Sequence, residues 1–170
     1  DVTSLLYLRL SAREVLFHVA FRAGSSGAAP AEFIGEMPGN IPALFDAVLA
    51  DVDQLVGREK ALRFLGSVFA SEGGMFLEQL CELTGGMEGG GVDDAVNEVG
   101  ERLKCVVKGR AIDGCPDATA VGFIHMQARD AVQRHFDLLE SSADLRQVHS
   151  QLAEYLGGKY RETCGSIGQR

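Results

Sequence analysis

The sequence predicts an all-α fold: a single-domain bundle of about six or seven helices over residues 1–170, joined by glycine-rich loops. Three observations carry that expectation. Apolar residues recur at spacings of three and four nearly everywhere between the chain's breaks. Those breaks are glycine clusters: Gly73-Gly74, Gly85-Gly86, Gly89-Gly90-Gly91 and Gly157-Gly158. No two neighbouring segments alternate as a strand pair would, and no period of about 20–50 residues repeats as a solenoid requires.

In chain order, Ser11 and Glu14 match a capping box. They predict a helix to about Arg22 that buries Val15, Leu16, Val19 and Ala20, with Gly24 ending it. The preceding Leu5 to Leu10 fits a helical extension better than a short strand. Residues 23–30 are Ala, Gly, Ser and Pro and read as a loop, followed by a short turn from Ala31 to Glu36. Asn40 is a good N-cap with Pro42 in the first turn. Behind it, Ile41, Leu44, Phe45, Val48, Leu49, Val52, Leu55 and Val56 form the clearest amphipathic stripe, and Gly57 ends it.

Leu62, Leu65 and Phe69 mark the next helix, and Met75 to Leu83 another. Asp93 or Asp94 opens a helix carrying Val96, Val99, Leu103, Val106 and Val107. Cys105 to Ile112 alternates loosely, which leaves a strand as the alternative there. Asp117 is read as the cap of a long helix with Val121, Ile124, Ala128, Val132, Phe136 and Leu139 on one face. Ser141 or Ser142 opens the last helix, with Leu145, Val148, Leu152, Tyr155 and Leu156, and the tail beyond Gly158 is expected to fray.

Composition narrows the function classes. Hydrophobic residues make up 46% of the chain, enough for an ordinary globular core. No apolar run approaches the roughly 20 residues of a membrane-spanning helix. The N-terminus lacks a basic n-region, so no signal peptide is expected. A net charge of -8 argues against general nucleic-acid binding, where phosphate contacts demand basic residues. Cys81, Cys105, Cys115 and Cys164 form no C-x-x-C pair and fit no zinc spacing. Cys81 falls inside an apolar helical pattern, where a buried thiol is the simple expectation, and the set favours a cytoplasmic or other reducing compartment over two disulfides.

Chemical motifs are scarce. The Gly85-to-Gly91 run precedes a predicted helix but has no preceding strand and no following Lys or Arg. Its own Glu88, with Asp93 and Asp94, would repel a phosphate, so it reads as a linker. His18, His125, His135 and His149 are the candidates for binding a cofactor such as haem between helices. His125 and His135 lie ten residues apart, about 15 Å along a helix, and cannot share one metal ion. H-E-x-x-H and paired E-x-x-H motifs are absent, so no metal is expected. There is no G-x-S-x-G, and no catalytic residue is assigned. Cys105 is the better-activated thiol by sequence, with Arg102, Lys104 and Lys108 around it.

Charge is segregated along the chain. Residues 23–57 and 64–100 carry five and seven acids and no base. Arg102, Lys104, Lys108 and Arg110 then fall within nine residues and form the candidate interaction patch, the place where an anionic partner would bind. The leading expectation is a non-enzymatic helical protein that acts through protein–protein contacts, as a regulator or assembly subunit, with a homodimer among its forms. It rests on the surplus of apolar helix faces and on the segregated charge. One alternative is a sensor or carrier holding an apolar small molecule or tetrapyrrole between helices. The other is an enzyme assembled from scattered residues such as Glu101, Cys105 and His125.

Overall fold

The computed structural model describes residues 2–17, 37–72, 74–84, 102–112 and 115–167. Among them are six helices and one small antiparallel sheet, so the chain is mostly helical but not purely α. In order they are α1 (Val2–Phe17), α2 (Ile41–Val56), α3 (Arg58–Ala70), β1 (Met75–Phe76), α4 (Leu77–Leu83), β2 (Val107–Ile112), β3 (Cys115–Phe123), α5 (Met126–His135) and α6 (Ala143–Ile167).

The centre is a helix pair. In α2 the Asn40 side chain accepts the Ala43 N–H at 2.9 Å, Pro42 sits in the first turn, and Gly57 ends the helix at a φ of 83°. Its stripe of Ile41, Leu44, Phe45, Val48, Leu49 and Val52 is buried. Helix α3 packs beside it and buries Ala61, Leu62, Leu65, Val68 and Phe69. Gly66 lets α6 approach closely: a Cβ there would meet the Val148 side chain at 2.7 Å. Ala128, Ala131, Val132 and Phe136 close the core from the α5 side, and Leu138, Leu145 and Val148 complete it.

The sheet corrects the all-helical expectation. Its order is β1-β3-β2, with Val121 paired to both Met75 and Gly109. The strand alternative for Cys105 to Ile112 is the one realised, from Val107 onward. The helix expected after Asp117 is instead a strand up to Phe123, and helix resumes only at Met126. Thr119 and Gly122 are poor helix formers, and in β3 they pair with Ala111 and Lys108 of β2. Gly74 enters β1 at a φ of 96°, so close to β3 that a Cβ would lie 2.6 Å from the Val121 carbonyl oxygen.

Three further expectations are corrected. Ser11 and Glu14 lie inside α1 rather than at its start, because helix begins at Val2. Cys81 is exposed, because the short α4 turns Leu80 and, in part, Leu83 onto the core instead. The last helix does not stop near Gly158 but runs to Ile167. The continuation past Phe17, the loop at 23–30 and the turn at 31–36 lie outside the described residues. So do the Gly85-to-Gly91 run, Glu101 and the start of the helix expected from Asp93.

Candidate functional site

The site is built where α1 meets the segment leading into β2. That segment is a tight turn: the Cys105 N–H donates to the Arg102 carbonyl at 3.0 Å and the Val106 N–H to the Leu103 carbonyl at 2.9 Å. The turn sends Arg102, Leu103, Cys105 and Val106 inward and leaves Lys104 exposed.

Arg102, 3% exposed, is the linchpin. Its Nη1 donates to both carboxylate oxygens of Glu14 at 2.5 Å, and its Nη2 donates to Oδ2 of Asp51. One guanidinium thus joins α1, α2 and the turn before β2. Glu14 is on the core stripe of α1, four residues from the buried Leu10, so the fold had to supply it with a buried cation. The Asp51 carboxylate is engaged by the same guanidinium.

Above this buried network lies a cleft of about 240 Å³ lined by Arg9, Arg13, Lys104, Val107, Lys108, Gly109 and Ile124. Arg13 reaches across to donate to the Lys104 carbonyl oxygen. Arg9 and Lys108 have no carboxylate partner among the described residues. The edge of β2 forms one wall. Ile124 donates to the Val106 carbonyl, and the β2–β3 register pairs Val107 with Phe123 and Gly109 with Val121. The antiparallel alternation therefore directs the backbone N–H and C=O of Val107 and Gly109 away from β3.

Cys105, next to Lys104 in the turn, is buried. Burial, and next the Glu14 charge, push its thiol above the ordinary cysteine range, against the opposite pull of Arg13 and Arg102. The basic neighbours that make it look activated in the sequence do not outweigh its desolvation, so it stays protonated at neutral pH.

Of the predicted patch, Lys104 and Lys108 line the cleft, Arg110 is exposed farther along β2, and Arg102 is interior. Of the described histidines, each sits on a different feature of α5 and α6. His125 caps α5, its Nδ1 accepting the Gln127 N–H at 3.2 Å. His135 bonds Asp53 through Nε2 at 2.8 Å, in a cluster where Arg58 also meets Asp53 and lies over the Phe136 ring. His149 is exposed on α6, and His18 lies outside the described residues. Among the described residues no three His, Cys, Asp or Glu side chains are grouped to hold a metal ion, and no helix is long and apolar enough to cross a membrane. The side chains of Cys115 and Cys164 are also outside the described set.

Sequence reasoning missed Arg9, Arg13, Glu14 and Asp51. Glu14 left a signal, an acid at a core position of an apolar helix; Arg9 and Arg13 left none, because their neighbours come from about a hundred residues away. The chain matches no protein-family model, no curated protein and no solved structure.

Proposed function

We propose that this chain is a non-enzymatic interaction protein that works by contact, and that α1 is its contact element. The supporting observation is that α1 is apolar on two opposite sides. Leu10 is 2% exposed and Leu6 and Tyr7 pack on the core, whereas Leu5, Leu8 and Leu16 are 68%, 62% and 68% exposed. At about 100° per residue, Leu5, Leu8, Ala12 and Leu16 fall in one stripe nearly opposite Leu10 and Glu14. A surface helix ordinarily presents polar residues there, and a helix apolar all round is one that is covered.

Charge selects the occupant. Between Leu5 and Leu16 the charged residues are Arg9, Arg13 and Glu14, and Glu14 is buried on Arg102. The accessible side of α1 is thus leucines edged by arginines. A two-fold contact with a second copy would bring both arginine pairs into one interface. The fitting partner is an acidic amphipathic helix, with leucines on one face and carboxylates beside them.

The test is the fluorescence anisotropy of a labelled synthetic helix of that pattern, against a scrambled peptide of the same composition. The ordered peptide binds and the scrambled one does not. Leu8→Gln keeps helix propensity but removes an apolar anchor of about 1–2 kcal/mol, and weakens binding about tenfold. Equal binding of both peptides, no binding, or full affinity in Leu8→Gln refutes the proposal.

A further inference from the structure

We infer that the cleft between α1 and the edge of β2 is a binding site for a soluble phosphomonoester. Four basic side chains converge on it from two parts of the chain: Arg9 and Arg13 from α1, Lys104 and Lys108 from the turn and β2. Glu14 and Asp51 are both bonded to the buried Arg102. Arg9 and Lys108 face the cleft with no acid against them among the described residues.

The backbone adds to the charge. The N–H groups of Val107 and Gly109 point away from β3 along the same wall, beside their carbonyls, and add amide donors to the guanidinium groups, a combination that phosphate oxygens take. At roughly 30 Å³ per water, about 240 Å³ is room for about eight waters, more than an inorganic phosphate fills. Val107 and Ile124 give the remaining space an apolar side, so the organic part of an ester has a surface to lie on.

The experiment is isothermal titration of the full chain with glycerol phosphate at constant ionic strength, with inorganic phosphate and chloride as comparisons. Glycerol phosphate binds saturably at one site, inorganic phosphate binds more weakly, and chloride does not compete. The double variant Arg9→Gln/Lys108→Gln keeps the wild-type circular dichroism and weakens the ester about 100-fold, roughly tenfold per cation removed. Lys60→Gln, an exposed lysine on α3 outside the cleft, stays within about twofold of wild type. Absence of saturable binding at millimolar ester overturns the inference. So does an equal loss in Lys60→Gln, which would mean general charge screening. Binding to phosphatidic acid vesicles without binding of the soluble ester overturns it as well.

Discussion

Replacing Arg102 by Met removes the cation that two enclosed carboxylates share while keeping much of the side chain's volume. The three side chains are 3%, 8% and 15% exposed for Arg102, Glu14 and Asp51. Each ion pair is worth about 4 kcal/mol of gross attraction at an effective dielectric near 20 and a charge separation near 4 Å, and desolvation offsets much of it. Truncation nevertheless leaves the buried Glu14 without its cation and takes one partner from Asp51, so Arg102→Met is expected to lose about 3–5 kcal/mol. That is a large share of the stability of a domain of this size. Urea denaturation followed by circular dichroism reads the loss as a lower midpoint at unchanged slope. The triple variant Glu14→Met/Asp51→Met/Arg102→Met removes the charges together and recovers most of the loss. A single variant that costs under about 1 kcal/mol, or a triple variant as unstable as the single, refutes the reasoning that these carboxylates are held by Arg102.

Iodoacetamide followed by peptide mass spectrometry labels exposed Cys81 before buried Cys105; equal rates at neutral pH contradict the placement of Cys105. Because the folded Cys105 thiol lies above its unfolded value, its stabilising contribution is full below the ordinary thiol pKa of about 8.5 and is lost as pH rises above it. Cys105→Val therefore flattens the alkaline fall in Tm, and an unchanged slope contradicts the assignment. Gly74→Ala forces a φ of 96° on a residue with a Cβ and drives that atom onto the Val121 carbonyl, costing about 1–3 kcal/mol in thermal denaturation. A neutral Gly74→Ala would mean that β1 does not pair with β3 as described.

What the chain reveals by itself depends on how local the determining interactions are. Helix α2 is legible from end to end, because its cap, its apolar stripe and its terminating glycine all fall within residues 40–57. Strand β3 is not. Val121, Ile124, Ala128 and Val132 keep a helical spacing, yet pairing with β1 and β2 overrides it up to Phe123. The Ser11 and Glu14 pattern misleads for a related reason. The same residues serve as a cap or as an interior core position depending on where the helix starts, and here it starts at Val2. Half of the cleft is visible as the basic run from Arg102 to Arg110, while Arg9 and Arg13 reach it only through tertiary packing. Whether a basic residue in that run faces solvent or the core is equally hidden until Glu14 and Asp51 are placed beside it: Arg102 turns inward and Lys108 does not.

The contact function of α1 is tested most directly by residue-resolved NMR. The acidic amphipathic peptide is titrated into isotope-labelled protein, and backbone amide shifts are followed. The account predicts saturating shifts concentrated from Leu5 to Leu16, with the buried stripe of α2 unmoved. Shifts confined to other elements, or none at concentrations that saturate a micromolar site, would contradict it.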